Sequence, residues 1–288
     1  EFLLAEALRR ECDLFVWGAG VQSNNCRQTA ACCAKAGLDC HLVLSRPKPG
    51  PGPVSLQGNL LLDHILGASY EIVDDKIGST LDQRIAERAE EFRSKGRRVF
   101  YGEKDVVKPL AAVSYVLCLV EILEQSSREG WTPSAIYVSS AGSTGAGLAI
   151  AGAALRVPFP IRNICPIQWE WDTQDDMARV ANQTAELLGI ETRIGREQID
   201  LTFDFIPPGY GKISPEGLDA IQTLARTEGI LLEPIYTGKA AAGLMHEIRK
   251  GLFRSDEHVV LIHTGGTPAL FAYHEEIAHG IVPRRLLS

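Results

Sequence analysis

Short apolar runs alternate along the chain with longer segments in which apolar residues recur three and four positions apart. The short runs are typical of buried strands, and the longer segments are typical of amphipathic helices. Predicted strands cover residues 14–17, 41–44, 71–73, 98–101, 135–139, 191–194 and 259–263. Predicted helices cover residues 25–36, 58–66, 80–95, 111–127, 145–156, 171–188, 215–228 and 240–250, and a further helical pattern covers 2–8. This alternation predicts an α/β fold with mostly parallel sheets covered by helices.

Two segments bear on the division into domains. Residues 46–53 alternate proline with other residues and contain two glycines, so they cannot form a helix or a central strand and are expected to form a surface connection. A change of composition near Lys108 and Pro109, followed by a long helical pattern, predicts a domain boundary. We therefore expect a small domain over residues 10–110 and a large domain over 111–288, which residues 1–9 complete.

The composition is that of an ordinary globular protein, with 288 residues of which 45% are hydrophobic and 23% charged. Twenty-nine basic and 36 acidic residues give a net charge of −7 without a basic run, so we expect no nucleic-acid or anionic-membrane partner. No run of 18 or more apolar residues and no signal-peptide pattern occurs, which predicts a cytoplasmic protein. The seven cysteines follow neither a zinc-ligand nor a disulfide spacing, so we expect reduced thiols and no metal site.

The most informative loop follows the predicted strand 135–139 and contains only serine, threonine, alanine and glycine over residues 139–147. Small residues let backbone amides approach an anion, and the N-terminus of the helix that follows favours a phosphate. Ser143 and Thr144 add hydroxyl donors, although the loop lacks the Gly-x-x-x-x-Gly-Lys-Ser/Thr pattern of a nucleoside-triphosphate site. The loop predicts a phosphate site, and the alternative is a tight turn that binds no ligand.

A second glycine-rich loop covers residues 18–27. Its first two glycines fit a dinucleotide-binding motif, but Ser23 replaces the third glycine and no acidic residue follows the next strand. The hydroxyl, amide and backbone N–H groups of Ser23, Asn24 and Asn25 converge at a helix start, where a carboxylate or a phenolate-like oxygen can bind. The alternative is an ordinary N-cap formed by Ser23 or Asn24.

A third loop, residues 263–270, again joins a strand to a helix through glycines. Thr264 offers a neutral hydrogen-bonding group there, and we expect His263 to be a hydrogen-bonded residue rather than a base. Tyr210 and Tyr236 also lie in loops, where binding and catalytic groups gather when the scaffold is rigid. The alternative is that both are ordinary surface residues.

Five motifs together carry a family resemblance. They lie at residues 22–28 (Gln-Ser-Asn-Asn-Cys-Arg-Gln), 58–62 (Gly-Asn-Leu-Leu-Leu), 141–148 (Ala-Gly-Ser-Thr-Gly-Ala-Gly-Leu), 232–239 (Leu-Glu-Pro-Ile-Tyr-Thr-Gly-Lys) and 263–273 (His-Thr-Gly-Gly-Thr-Pro-Ala-Leu-Phe-Ala-Tyr). In this order, across almost the whole chain, they resemble the D-cysteine desulfhydrase and 1-aminocyclopropane-1-carboxylate deaminase family. The resemblance implies pyridoxal 5'-phosphate as the cofactor and a type II pyridoxal-phosphate enzyme fold of two three-layer α/β/α domains. It further implies a homodimer that acts on a small amino acid.

The resemblance also implies a role for each matching residue. Asn24 would contact the phenolate oxygen of the cofactor ring, and Ser23 with the amides of Asn24 and Asn25 would bind the substrate carboxylate. Tyr210 and Tyr236 would face the substrate, where Ser23 and Tyr236 would assist in positioning or proton transfer. The residues that bind the cofactor phosphate would be Ala141, Gly142, Ser143 and Thr144.

Thr237 and Thr264 bear on the activity within the family. The deaminases have glutamate and leucine at these two positions, so a threonine at both favours the desulfhydrase. A neutral hydroxyl near the pyridine nitrogen does not keep it protonated as a carboxylate can, and a milder electron sink suits β-elimination. The implied reaction converts D-cysteine, or a related β-substituted amino acid, to pyruvate, ammonia and sulfide. Deamination of 1-aminocyclopropane-1-carboxylate is the alternative.

Two departures from the family pattern stand out. Residues 103–108 are largely charged where the family has Gly-Gly-Ser near the cofactor, which predicts an altered substrate preference. The Asn-Lys-x-Arg motif with the lysine that binds the cofactor is absent. Since the chain opens without Met in a helical pattern, we expect a preceding segment with this lysine, and weak cofactor binding and little turnover without it. A non-catalytic binding protein that has lost the lysine is a further alternative.

Overall fold

The computed structural model describes residues 1–46 and 56–280, which form parallel sheets and the helices that cover them. The strands are β1 Leu14–Gly20, β2 Asp39–Ser45, β3 Ser69–Val73, β4 Val99–Tyr101, β5 Pro133–Ser139, β6 Ile161–Ile164, β7 Leu201–Thr202 and β8 His258–Leu261. The helices are α1 Phe2–Arg9, α2 Asn24–Ala36, α3 Gly58–Ile65, α4 Ser79–Ser94, α5 Lys104–Glu129, α6 Ser143–Leu155, α7 Thr173–Leu187, α8 Pro215–Thr227, α9 Thr237–Arg249, α10 Thr267–Ala272 and α11 His274–Gly280. Most of the connection predicted at 46–53 lies outside the described residues.

The first sheet has the strand order β3-β2-β1-β4, and its neighbouring strands are parallel. Successive side chains of a strand point to opposite faces of the sheet. In β1, Phe15 packs in one apolar cluster with Ala30 of α2, while Leu14 and Val16 pack in another with Ile85 of α4. Helices therefore cover this sheet on both faces.

The second sheet has the strand order β7-β6-β5-β8 and is also parallel. Ile136 and Val138 of β5 share a core with Met177 of α7, and Tyr137 on the opposite face packs with Leu244 of α9. Each sheet thus lies between two helical layers, and the predicted α/β fold with two three-layer units is confirmed.

Helix α5 lies between the two sheets in the chain and begins at Lys104 instead of the predicted residue 111. Pro109 indicates a break in the sequence pattern because proline lacks the N–H that a helix interior uses. In the structure Pro109 lies near the start of the helix. Two ion pairs join this start to α7, one between Lys108 and Asp176 and one between Asp105 and Arg179. The boundary predicted near residue 110 falls inside this helix, and the division into two domains stays a prediction.

One helix among the described residues, over Asp105–Glu129, is long and apolar enough to cross a membrane by length and composition alone. It packs against α1, α6 and α7, and 28% of its apolar window is buried. The feature is therefore weak evidence for a membrane span.

The strand predicted at 191–194 is wrong, because this segment has no regular structure. The N–H and C=O of Ile194 instead bond the side-chain amide of Asn182 on α7. The sequence pattern does not predict β6 and β7, because β6 contains the polar residues Arg162 and Asn163 and β7 has only two residues. The last predicted strand ends at Leu261 instead of 263.

The glycines of α6 have a packing role that is separate from ligand binding. A Cβ on Gly147 would lie 2.2 Å from the Ala112 carbonyl oxygen, and one on Gly145 would lie 2.1 Å from Asn163 Oδ1. By contrast, a Cβ on Gly142 would meet no atom within 4 Å. Close packing against α5 and β6 thus requires small residues in α6, whereas Gly142 borders open space.

Candidate active site

A cavity of about 330 Å³ lies beyond the carboxyl ends of β1 and β5. Ligand sites of α/β proteins lie at this end of the strands. All the sequence-predicted site residues except Thr237 line it: Ser23, Asn24, Asn25, Ala141, Gly142, Ser143, Thr144, Tyr210, Tyr236 and Thr264. The structure therefore brings five segments, distant in sequence, to one site.

The N-terminus of α6 borders this cavity and has no side-chain cap. The first N–H groups of a helix have no acceptor within the helix, and the helix dipole favours an anion beside them. The buried Ser140 holds the loop in shape, because its hydroxyl oxygen accepts hydrogen bonds from the N–H of Gly142 (3.3 Å) and of Gly145 (2.8 Å). Ser143 and Thr144 place their hydroxyls at the same helix start, so the arrangement suits a phosphate.

Trp169 lines the cavity beside this loop, although the sequence does not identify it. Its indole N–H donates to the Ala141 carbonyl at 3.1 Å, and its ring stacks on Trp171 with centroids 5.0 Å apart. The ammonium of Lys108 lies 5.4 Å from the Trp171 ring centroid. Only the tertiary structure brings this indole to the loop, so no local motif could have revealed its place.

Helix α2 begins at the opposite side of the cavity. The Ser23 hydroxyl oxygen accepts from the N–H of Cys26 at 3.1 Å, which makes Ser23 the N-cap of the helix as well as a cavity residue. Asn24 Oδ1 accepts from Asn59 Nδ2 at 2.7 Å, and Asn25 is exposed.

The hydroxyls of Tyr210 and Tyr236 are 2.8 Å apart at the cavity wall, with their rings edge to face. Burial raises the pKa of both tyrosines. The pKa of Tyr236 is raised further because it would ionise beside Tyr210 and near the buried Glu233. Both tyrosines are therefore protonated at neutral pH, and one O–H of the pair bonds the other oxygen.

Thr237 does not line the cavity. It is buried at the start of α9, and its hydroxyl accepts from the N–H of Glu233 at 2.8 Å and donates to the Glu233 carboxylate at 3.2 Å. The sequence pattern starts this helix at residue 240, which leaves Thr237 in a loop, whereas the structure starts it at Thr237. The role predicted for Thr237 at a pyridine nitrogen stays a prediction.

Two buried ionisable residues, Glu233 and Lys239, bond the backbone next to the two tyrosines. The carboxylate of Glu233 accepts from the N–H groups of Ile235, Tyr236 and Thr237 at 2.7–2.8 Å. Desolvation raises the pKa of this carboxyl group, and the three N–H donors oppose the rise. The buried ammonium of Lys239 donates to the carbonyls of Ile206 (2.8 Å) and Gly209 (3.3 Å), directly before Tyr210. Burial lowers the pKa of Lys239 to about 8.

His263 is hydrogen-bonded through both ring nitrogens, as expected. Nε2 lies 2.9 Å from the Leu231 carbonyl oxygen, and Nδ1 lies 3.1 Å from the N–H of Gly265. Because a carbonyl only accepts and an N–H only donates, the proton of a neutral ring sits on Nε2. The imidazole is exposed and is engaged in shaping the loop.

Two residues of the charged stretch at 103–108 pair with α7. Lys108 pairs with Asp176 at 2.6 Å, and Asp105 pairs with Arg179 at 2.7 Å. Neither Asp105 nor Lys108 lines the cavity. The altered substrate preference predicted from this stretch is not tested by these contacts.

No disulfide joins the seven cysteines, all of which lie in the described residues, and four of them are buried. Within residues 1–46 and 56–280, no three His, Cys, Asp or Glu side chains are grouped as a metal site requires.

The sequence matches the family described as "Pyridoxal-phosphate dependent enzyme" over residues 2–265, and the chain belongs to this family. It is similar to a D-cysteine desulfhydrase of Yersinia enterocolitica, with 36% identity over 278 residues that cover 96% of this chain and 83% of the relative. A D-cysteine desulfhydrase of Serratia proteamaculans is 37% identical over 280 residues, with the same coverage of both chains. A crystal structure of a protein described as an ACC deaminase homologue superposes with a TM-score of 0.84 at 31% identity, covering 97% of this chain and 82% of that one.

The cavity fits the cofactor of this family, pyridoxal phosphate. The N-terminus of α6 suits the phosphate, because a helix N-terminus favours an anion and the N-cap residue Gly142 makes no side-chain cap, although Ser140 accepts from the N–H of Gly145. Asn24 also lines the cavity, and its Oδ1 bonds Asn59, which leaves the amide NH₂ group as a donor suited to an anionic ring oxygen. The cavity is thus complementary to two anionic groups of one molecule.

Proposed function

We propose that this enzyme eliminates the β-substituent of D-cysteine, or of a related β-substituted amino acid, to give pyruvate, ammonia and sulfide. One observation carries the proposal: the α6 N-terminus, the Ser23 helix start and the tyrosine pair line a single cavity. The relatives named D-cysteine desulfhydrase support this choice of substrate.

At the cofactor end, the residues of this chain bind and orient. Bound pyridoxal phosphate supplies an electron-withdrawing ring that makes the α-proton of an attached amino acid acidic. The N–H groups that start α6 would hold the phosphate, together with the hydroxyls of Ser143 and Thr144. The amide of Asn24 would donate to the ring oxygen, and the neutral hydroxyl of Thr264 would face the ring without adding charge. These residues would keep the ring in one orientation.

At the substrate end, a second set of residues binds the carboxylate and supplies a proton. The N-terminus of α2 holds the carboxylate through the Ser23 hydroxyl and the N–H groups of Asn24 and Asn25. Tyr236, protonated because burial raises its pKa, donates its proton to the leaving sulfur. The Tyr210 hydroxyl, 2.8 Å away, then donates to the Tyr236 oxygen.

An assay of the full gene product tests the proposal. The protein is incubated with pyridoxal phosphate and D-cysteine, and sulfide and pyruvate are measured, with L-cysteine run in parallel. We expect sulfide and pyruvate in equal amounts from D-cysteine. Release of neither product would overturn the proposal.

A second candidate reaction is the deamination of 1-aminocyclopropane-1-carboxylate to 2-oxobutanoate. The similarity to the structure described as an ACC deaminase homologue favours it. Thr237 and Thr264 weigh against it, because neither supplies the charge that would keep the pyridine ring protonated. Measuring 2-oxobutanoate release beside the D-cysteine assay separates the two reactions.

We further propose a cytoplasmic homodimer whose subunits have domains over residues 10–110 and 111–288. The two separate sheets support the domains, and the resemblance to the family supports the dimer. Light scattering after size exclusion tests the dimer, and cell fractionation tests the location.

A further inference from the structure

Asn59, the second residue of α3, is fully buried and does not line the cavity. Its Nδ2 donates to two oxygens, the backbone carbonyl of Gln22 at 2.9 Å and Oδ1 of Asn24 at 2.7 Å. Its backbone N–H donates to Oε1 of Gln22 at 2.9 Å. Asn59 therefore contacts both residues that flank Ser23.

These contacts determine which way the Asn24 amide faces. A backbone carbonyl can only accept, so the Asn59 atom that bonds the Gln22 carbonyl must be the nitrogen. The same nitrogen also bonds Asn24, so the Asn24 atom beside it must be the oxygen. The Asn24 NH₂ group is consequently turned away from Asn59, against Gly266, where an added Cβ would lie 2.6 Å from it.

Further contacts hold the start of α3, which carries Asn59, against Gln22. Gln22 Nε2 donates to the Gln57 carbonyl at 3.1 Å, so both ends of the Gln22 amide hold the start of α3. Gly58 adopts a left-handed backbone (φ 58°), and a Cβ there would lie 2.5 Å from Gln22 Oε1. Only glycine fits this position, and it brings α3 close enough for Asn59 to reach Asn24.

We propose that Asn59 is a positioning residue that fixes the Asn24 amide with its donor side towards the cavity. The Asn24 NH₂ group can then donate to a ligand, and it favours an anionic oxygen such as the ring phenolate of the cofactor. This inference rests on the proposed function, since it assigns the ring oxygen to Asn24. It adds Asn59 as the residue that makes Asn24 present its NH₂ donor, and not its oxygen acceptor, to the ring oxygen.

The test uses a coenzyme analogue that needs no lysine. 4-Deoxypyridoxine 5'-phosphate lacks the aldehyde, and its 3-O-methyl ether also lacks the ionisable ring hydroxyl. Binding of each is followed by quenching of tryptophan fluorescence, because Trp169 lines the cavity. We expect wild-type protein to bind the hydroxyl compound about tenfold more tightly than the ether, as for a hydrogen bond to a charged group. In Asn59→Asp the carboxylate repels Asn24 Oδ1, and the preference falls below about threefold.

A matched control separates this role from a purely structural one. Asn182 also makes two amide hydrogen bonds, to the backbone of Ile194, and it does not line the cavity. Asn182→Asp should keep the preference for the hydroxyl compound. The double variant Asn24→Ala/Asn59→Asp should show no smaller preference than Asn24→Ala alone, because Asn59 acts through Asn24.

A measurement on wild-type protein covers the case in which Asn59→Asp does not fold. The side-chain NH₂ signal of Asn24 in a ¹⁵N spectrum should shift with the hydroxyl compound and not with the ether. An unchanged preference in a folded Asn59→Asp variant, or an Asn24 signal that does not respond, would overturn the inference and leave the proposed function standing. Failure of wild-type protein to bind either compound would overturn the cofactor site, and the inference with it.

Discussion

At the scale of single residues, the Tyr210 and Tyr236 hydroxyls are groups of the cavity that can transfer a proton. Glu233 fixes Tyr236 through its backbone N–H, and Lys239 fixes the turn that precedes Tyr210. Neither Glu233 nor Lys239 reaches solvent. Two buried ionisable side chains thus support the backbone beside the tyrosines, whose hydroxyls lie 2.8 Å apart.

Replacement of Tyr236 tests its part in proton transfer. Tyr236→Phe removes the proton that the leaving sulfur needs, so kcat with D-cysteine should fall about 100-fold, within the range for loss of a general acid. β-Chloro-D-alanine is the control substrate, because chloride leaves without a proton. With it, the loss should be less than about fivefold. Equal losses with both substrates would contradict the proton-transfer role.

Asp63 is a buried residue whose ionised form would have no hydrogen bond from the described part of the chain to stabilise it. Its side chain is fully buried, and neither carboxylate oxygen has a hydrogen-bond partner among the described residues. Desolvation raises its pKa from 3.8 to about 7, and Arg27 opposes this only in part. The folded protein therefore prefers Asp63 protonated.

This shift predicts a pH-dependent stability. Between pH 4 and 7 the carboxyl group ionises in the unfolded chain while it stays protonated in the folded one, so stability falls as pH rises and levels off above pH 7. Asp63→Asn removes this loss. The variant should be about 2–4 kcal/mol more stable than wild type at pH 8 and nearly equal to it at pH 4.

Urea unfolding at both pH values checks the effect. Asp204→Asn serves as the control because Asp204 is exposed. The control should change stability by less than about 0.5 kcal/mol at either pH. An Asp63→Asn variant less stable than wild type at pH 8 would show that the carboxylate has a partner in solution.

At the scale of elements, one helix N-terminus combines stability with binding. Ser23 caps α2 through its hydroxyl and also lines the cavity, whereas Ser214 caps α8 in the same way, through the N–H of Gly217 at 3.0 Å, away from the cavity. The two serines form a matched pair in which only one is predicted to bind the substrate carboxylate.

Loss of the two caps should therefore have different consequences. Ser23→Ala and Ser214→Ala should each lower the free energy of unfolding by about 1 kcal/mol, as loss of an N-cap does. Only Ser23→Ala should also raise the KM for D-cysteine, by about tenfold, because a charge-assisted hydrogen bond to the carboxylate is lost. Steady-state kinetics and urea unfolding measure the two effects separately. A similar KM in both variants would remove Ser23 from the substrate site.

For the whole molecule, the sequence predicts the α/β class because each buried strand is short, apolar and followed by a helix or a turn. It singles out Ser23, Asn24 and Thr264 because they follow predicted strands, whose ends a parallel sheet brings together, whereas Tyr210 and Tyr236 are given a site role through the family resemblance. Long-range contacts escape such reasoning. Ile194 bonds a distant asparagine in place of a strand, and Trp169 reaches its loop only through the fold.

The two halves of the molecule also meet outside the cavity. Ser79, at the start of α4, donates its hydroxyl hydrogen to Glu170 Oε2 at 2.6 Å, and Glu170 follows Trp169 in the chain. This hydrogen bond links a helix that covers the first sheet to the neighbour of Trp169, whose indole N–H donates to the Ala141 carbonyl. The loop before α6 is therefore linked to α4 through Trp169 and Glu170.

Breaking this link should weaken phosphate binding more than it weakens the fold. Ser79→Ala and Glu170→Gln should each change the free energy of unfolding by less than about 1 kcal/mol, because the pair is exposed to solvent. Each should weaken binding of 4-deoxypyridoxine 5'-phosphate about threefold, and the double variant should bind like either single variant because the two act as a pair. Ser94→Ala, at the other end of α4, is the control and should bind like wild type. Fully additive losses in the double variant would show that the two residues act independently, and that the halves are not coupled through this contact.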